Sequence, residues 1–493
     1  MTPNRTLPST CVAALAALIL PAGLCSPQLG AMDNVPDPGT SLGDGVPPQP
    51  PPQEFQPGGH LGLSGQRQVT IRGLVDLDAL IQGNYLGGNS HIGDHRGYGL
   101  IRAEMGTKVK LDERVAAVVT FGYYDEAGSA ASATSPVTTS PTRATPTVPT
   151  DRGRTVLDEG YVDLKEFLGM EQLGITAGRM PVSWNLREGE GAFLYDSRHN
   201  DPAVTGWDGA RATYNADSVD VDITPYTYRL PDNSTLYGGA VDWKPQRSGS
   251  SRTFLTGSIN LERNVVLRQV AGNPGGYAHR LMTYYVGAEF EVDEFDISGE
   301  YAQQHGDENS YVSSNGTAVQ GAKMKGWGAN VAIDWRTHLA GGQQFILGGK
   351  IDYLSGDDND SDSVNYAFVN NWTGVNDTYI VESQKYGGLA QYMQGNLEDL
   401  KLNAKLSFDE HNRIRMAATY AYFKIPDPQP GAGSRFGQEA DLTLTWQYTY
   451  NAAFHLFGAV FKPDGGFTNV APAGVLAKTD PVYLFGLNLG VVF

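Results

Sequence analysis

The chain is 493 residues long, carries only 18% charged residues with a formal net charge of −18, and is rich in Gly (60) and Tyr (25). Its mean hydropathy of −0.31 is too polar for a bundle of membrane helices, and its acid excess disfavours a nucleic-acid partner. The length exceeds a usual single domain, but a closed barrel can reach this size as one unit.

The first predicted element is a leader over residues 1–31. Its apolar run, "CVAALAALILPAGL" from Cys11 to Leu24, is shorter than a membrane-spanning helix requires. It follows the basic Arg5 and precedes small residues, the pattern of a secretory signal peptide cleaved between Cys25 and Ala31. Lipidation at Cys25 is the weaker alternative, because Leu24 is a poor neighbour for it. Cys11 and Cys25 are the only cysteines. If both leave with the leader, disulfides and thiolate metal sites leave with them.

Residues 32–67 form the second element. The run "NVPDPGTSLGDGVPPQPPPQEFQPGGH" favours extended, solvated backbone and builds no core. It reads as a Pro-rich periplasmic linker, with no globular plug ahead of the strands.

From residue 68 to Phe493 the pattern has period two. In "QVTIRGLVDLDALIQ", Val69, Ile71, Val75, Leu77, Ala79 and Ile81 alternate with Thr70, Arg72, Asp76, Asp78 and Gln82. "IRAEMGTKVKL" sets Ile101, Ala103, Met105 and Val109 against Arg102, Glu104, Lys108 and Lys110. "LKLNAKLSF" and "ADLTLTWQYTY" repeat the separation near residues 400–408 and 440–450. Successive strand side chains point to opposite faces, so each segment has one apolar and one polar face. Eight short connections, near 111–114, 165–171, 215–218, 243–252, 291–295, 336–343, 409–412 and 449–452, alternate with nine long ones. That rhythm predicts an all-β, antiparallel, up-and-down transmembrane barrel of eighteen strands, with sixteen as the alternative. A soluble sandwich or propeller would show the same alternation with its apolar face as core. The leader, the long–short rhythm, the Tyr- and Trp-rich strand ends and the terminal Phe493 favour the outer membrane of a diderm bacterium.

If the apolar faces meet lipid, the polar faces line a lumen wide enough for water. Candidate lumenal cations are Arg72, Arg102, Lys108, Arg211, Arg336, Lys350, Lys401, Lys405 and Arg415. Candidate anions are Asp76, Asp78, Glu104, Glu159, Asp163, Asp220, Asp222, Glu289, Asp296, Glu300, Asp334 and Asp352. Rings of like charge at a constriction select ions, whereas a mixed lumen such as this one tends to pair its charges along the wall. The loop 181–208, rich in aromatics, Arg and acids, is the candidate to fold inward. The Ser/Thr/Pro-rich loop 126–153 reads as external. The acidic run "SGDDNDSDS" partly resembles a Ca²⁺ loop at Asp358, Asp360 and Asp362. Ser363 replaces its turn Gly and Val369 its bidentate Glu, so a solvated acidic loop is preferred and no cofactor is expected. The chain holds no His-Glu-x-x-His and no Gly-x-Ser-x-Gly, so no catalytic residues are assigned. A barrel enzyme acting on lipid, and an adhesive barrel acting through its loops, stay as alternatives.

The stretch "VLDEGYVDLKEFLGMEQLGITAGRMPVSW" resembles the alginate-export family of outer-membrane barrels. The residues that carry the resemblance are Glu159, Tyr161, Val162, Asp163, Leu164 and Lys165, then Gly178 and Arg179, then Asp208, Gly209, Arg211 and Tyr214. "YLSGDD" from Tyr353, "YGG" from Tyr386 and "NLEDLKL" from Asn396 follow in the family order. Gly160 and Met180 depart from the pattern. The resemblance implies an eighteen-stranded monomeric channel with a cationic constriction, passing acidic saccharides such as alginate-like polyuronates; a general or small sugar-acid porin is the alternative. Expected pore residues are Arg72, Arg102, Lys108, Glu159, Asp163, Arg179, Arg211, Arg336, Lys350 and Arg415. Arg179 rests on the resemblance alone. It shares parity with Leu173, Ile175 and Ala177, so a bulge before Pro181 is required to turn it inward. The chain closes on "YLFGLNLGVVF", read as the last strand, whose terminal Phe resembles the signal taken by the outer-membrane assembly machinery.

Overall fold

The computed structural model describes residues 61–62, 68–84, 96–128, 154–184, 186, 193–195, 197, 206–230, 234–245, 251–266, 277–312, 318–320, 323–339, 343–357, 363–369, 377–383, 386, 389, 395–408, 413–428, 431, 433–470 and 479–493. All belong to the second of two compact units, Thr40–Phe493. The leader, the bulk of the linker and the Asp358, Asp360 and Asp362 run lie outside the described residues.

Eighteen long strands form one closed antiparallel barrel. In chain order β1 to β6 are Gln68–Gly83, Arg96–Lys110, Val115–Gly128, Arg154–Leu164, Leu173–Met180 and Trp207–Ala216. Strands β7 to β12 are Val221–Arg229, Thr235–Trp243, Arg252–Val266, Tyr277–Val292, Phe295–Val312 and Trp327–His338. Strands β13 to β18 are Gln344–Leu354, Leu397–Ser407, Ile414–Lys424, Arg435–Thr449, Ala452–Pro463 and Val482–Val492. Each pairs with its neighbours in sequence, and β18 returns to β1 from Leu74↔Val492 to Gly83↔Tyr483. Closure leaves no long sheet edge unpaired, as a membrane-spanning sheet requires. The eighteen-strand expectation holds, because the alternation persists through every strand and local turn chemistry separates them. At 111–114, Asp112 Oδ1 accepts the amides of Arg114 (2.7 Å) and Val115 (2.8 Å). The turn 293–294 starts with Asp293 in the left-handed region, which short hairpins demand.

The barrel is inside out relative to a soluble protein. Ile81, Met105, Val286, Leu402 and Leu442 are exposed on the outer wall, while Asp76, Glu300, Asp399, Lys401 and Asp441 are buried on the inner one. Trp243, Trp335, Trp446 and Tyr448 ring the short-turn end, and Tyr237, Tyr284 and Tyr420 stand nearer the long-loop end. Such aromatic girdles mark the two edges of a lipid bilayer. One irregularity shapes the inner wall. The β3–β4 register slips between Thr120 and Phe121, so Asp158 is an extra residue and stands buried beside buried Glu159.

Candidate functional site: the filled lumen

Period-two alternation decides which side chains meet inside the barrel. Arg72, Gly106, Thr120 and Glu159 occupy one register row across β1 to β4. Arg72 forms an ion pair with Glu159, which also accepts from Thr120 Oγ1 at 2.9 Å. Two layers toward the long loops, Arg102 Nε donates to Glu104 of the intervening layer at 2.6 Å, and its guanidinium lies over the Tyr124 ring. The Tyr124 hydroxyl reaches both Glu104 and the bulged Asp158 at 3.1 Å. Lys108 is half-buried on the same face toward the short-turn end. Asp163 accepts from Thr176 Oγ1 at 3.1 Å. Arg211 is the cross-strand partner of Thr176 and lies against Tyr228, within electrostatic reach of Tyr161.

Across the barrel, Arg336 bridges Asp296 (2.7 Å) and Glu291 (3.3 Å) near the short-turn end. Arg415 is half-buried on the lumenal face of β15, and Lys350 is buried on that of β13. Asp220 is not on a wall; it sits in the turn after 217–219. Arg179 is also corrected. It is in register with Gly160 and Asp208, on the opposite face from lumenal Thr176 and Met180. Its guanidinium grips Asp208 through Nε (2.8 Å) and Nη2 (2.7 Å) on the outer wall. The bulge that would have turned it inward occurs one strand earlier, at Asp158.

Two long connections enter the lumen. The first lies between β5 and β6. Val182 and Ser197 pair through their backbones at 2.7 Å, holding Phe193, Leu194 and Tyr195 buried. Trp184 packs on Tyr226 with ring centroids 4.7 Å apart. Phe193 reaches the far wall, where a side-chain carbon at Gly328 would stand 2.9 Å from its ring; glycine there makes the space. Phe193 also stacks on Phe368 of the β13–β14 connection.

That second connection, described at 377–383, Tyr386 and Leu389, was not expected to turn inward. Tyr379 N donates to Asp441 (3.2 Å), and the amides of Ile380 and Val381 donate to Glu439 at 2.6 and 2.9 Å. Three successive amides thus face two wall carboxylates, a concave nest that favours negative charge. Tyr379 stacks on Phe457 at 4.6 Å, and the Tyr386 hydroxyl bonds Asp78 at 3.0 Å. Lys401 Nζ lies 2.7 Å from Asp352, 2.8 Å from Asp377, 2.7 Å from Glu382 and 3.3 Å from Asp399. Lys350 adds a 2.7 Å bridge to Asp377. The sequence signal for this docking is the apolar "YIV" at Tyr379–Val381, which follows a second apolar stretch, Tyr366–Val369, in the same long loop.

Asp352, Glu382 and Asp399 are close enough to hold a cation, but the Lys401 ammonium already supplies the positive charge among them. Burial pushes the Glu382 carboxyl up to about 7 from an ordinary 4.5, with Asp377 and Asp352 adding to the rise and Lys401 opposing it. A raised acid pKa means that the docked segment holds a proton the released one gives up. Docking is therefore favoured below about pH 4.5 and loses that contribution as pH rises through about 7. The groups facing Glu382 are Lys350 and Asp352 on β13, Asp399 and Lys401 on β14, Asp377 on its own segment and the Glu439–Asp441 pair on β16. Planar-bilayer conductance is expected to rise between pH 5 and pH 8, with Glu382→Gln flattening the step. An unchanged step in that variant would assign it to another group.

Comparisons agree with this architecture. The family model described as alginate export matches residues 67–473. No curated protein matches the chain in sequence. Among solved structures, OccAB1 of Acinetobacter baumannii is 10% identical, with 89% of this chain and 99% of that one covered at a TM-score of 0.53. OccAB2 of the same organism is 10% identical over 86% and 98%, at 0.52. OccK8 (OprE) of Pseudomonas aeruginosa is 9% identical over 86% and 98%, at 0.51. These are likenesses of fold.

Proposed function

The chain belongs to the alginate export family of outer-membrane barrels, and from that premise we propose that it is a passive channel for acidic saccharides of the polyuronate class. The observation that carries the reading is Arg211. Its guanidinium faces the lumen among the phenols of Tyr228 and Tyr161, whereas Arg72 and Arg102 are each held by a wall carboxylate. A cation held by phenols keeps its charge available to a passing carboxylate, and Arg matches a carboxylate with two parallel donors. Tyr161, half-buried beside it, offers a ring face to a sugar, while Tyr228 is buried against Tyr226 and Trp207 and holds the guanidinium in place. Arg72 and Arg102, partly neutralised, extend the positive field along the same wall. A general or small sugar-acid porin is the second reading, supported by the mixed charge of the remaining lumen.

Hexuronate oligomers added to one side of a planar bilayer are expected to block the open channel in a voltage-dependent manner. Neutral oligomers of equal length are not. Arg211→Gln should weaken the block by about tenfold, the loss of one charge-assisted contact. A conductance indifferent to uronates would remove the polysaccharide reading and leave the small-solute one.

A further inference from the structure

The outer wall carries a feature that passage through the lumen does not use. The Arg179–Asp208 pair opens a single register row that runs around the barrel. Asp208 faces Arg229 on β7, and Arg229 faces Thr235 on β8. Thr235 faces Arg263 on β9, and Arg263 faces Arg280 on β10. Arg280 faces Asp307 on β11, which faces Lys323 of the short strand that follows. Five cations thus share one row with two carboxylates, in a chain whose net charge is −18.

The row lies on the face that meets lipid. Arg280 and Asp307 form an ion pair with both side chains more than half exposed, and the Arg263 guanidinium lies 5.8 Å over the Tyr237 ring. Two positions further toward the short-turn end, the same face carries Tyr237, Leu261 and Met282, and beyond them Ile259 and Tyr284. Tyr237, Ile259 and Tyr284 are exposed, at 44%, 56% and 44%. Charged side chains on an outer barrel wall are costly within the hydrocarbon and tolerated at the interface, so the row sits at a headgroup level. Arg263 is three residues from the end of β9 and Arg280 three from the start of β10. The connection between them, 267–276, is a long one, which assigns the row to the outward-facing leaflet.

The Arg263–Arg280 juxtaposition names the partner. Like charges directly opposite across a strand pair repel, and among the described side chains the carboxylate beside them, Asp307, serves Arg280. An anion between the two guanidiniums removes the repulsion, and phosphate suits their fork-shaped donors. We infer that this row binds the phosphorylated headgroup of an outer-leaflet lipid, with the acyl chains lying on Tyr237, Ile259 and Tyr284. The lipid would be held against β8 to β11, outside the pore.

Native mass spectrometry of the full barrel, released from detergent micelles, tests this with three probes: diphosphoryl lipid A, dimyristoylphosphatidylcholine and inorganic pyrophosphate. The wild type is expected to retain lipid A about tenfold more than phosphatidylcholine, and to retain pyrophosphate weakly, because it lacks the chains. Arg263→Gln combined with Arg280→Gln should reduce lipid A retention about tenfold while heat-modifiable gel mobility stays that of a folded barrel. Equal retention of lipid A and phosphatidylcholine by the wild type would overturn the inference whether or not the variant folds. So would pyrophosphate bound as well as lipid A, which would make the row a free-phosphate site, or a folded double variant that retains lipid A undiminished.

Discussion

Replacing Lys401 by Met is expected to loosen the docking of the 377–383 segment in the lumen and to raise single-channel conductance. Lys401 Nζ is the common partner of Asp352, Asp377, Glu382 and Asp399, and its side chain is only 2% exposed. Removing one partner of a buried ion cluster costs about 3–5 kcal/mol, because the opposite charges stay buried without compensation. The remaining anchors are the Lys350–Asp377 bridge, the three amides on Glu439 and Asp441, the Tyr379–Thr443 and Tyr386–Asp78 bonds and the Tyr379–Phe457 stack, each contributing about 1 kcal/mol. Together they exceed the cost only modestly, so docking should become marginal rather than disappear. Larger, noisier openings in planar bilayers are the expected signature, with the pH step near 7 lost or displaced upward. Adding Asp352→Asn to the Met variant removes one stranded carboxylate and should partly restore the quiet state. A Lys401→Met channel that conducts like the wild type would show that the other anchors hold the segment without Lys401.

Lys350 provides the internal contrast. It touches Asp377 at 2.7 Å but Asp352 only at 3.6 Å, and its loss leaves Lys401 in place. The two lysines differ in position rather than chemistry. The side chain of Lys401 stands at the centre of the cluster and that of Lys350 at its rim.

The walls of this lumen were legible in the sequence, whereas its contents were not. Strand faces follow from period two, and the rule placed Arg72, Arg102, Arg211, Arg336, Lys350 and Lys401 on the inner wall without knowledge of any partner. Arg179 marks the limit of resemblance as a guide. Parity alone aimed it at lipid, the family motif suggested the lumen, and the register with Gly160 and Asp208 follows parity. The bulge at Asp158 has no such local cue, since it depends on how β3 and β4 slip past each other. The docked segments are harder still. The Tyr386–Asp78 bond joins residues 308 apart, and Ile380 and Val381 find Glu439 across 59 and 58 residues. Contacts of that separation are set by barrel closure. The local traces of them are two short apolar runs, Tyr366–Val369 and Tyr379–Val381, in a loop that opens on an acidic stretch.

Closure is itself open to test, at the seam between β1 and β18. Gly73 N donates to Phe493 O at 2.7 Å, and Phe493 N donates to Gly73 O at 3.0 Å. The Phe493 ring lies over Gly73 on the outer wall, so that a side-chain carbon at position 73 would stand 2.1 Å from its Cζ. No contact that short survives, so Gly73→Val must displace the ring or the backbone pair. Overpacking of this kind costs about 1–3 kcal/mol. Here the strain falls on the seam pairing, and while that pairing is open both seam strands expose unpaired backbone to lipid at several kcal/mol per group. Gly73→Val is therefore expected to lower the folded fraction, read as a weaker heat-modifiable band on unboiled gels. Truncating the ring by Phe493→Ala in the same chain should recover much of that band, because the clash is with the ring and not with the backbone. Folding of Gly73→Val at the wild-type level, or a double variant no better than the single, would mean that the ring swings freely into lipid. The seam would then depend on its hydrogen bonds alone.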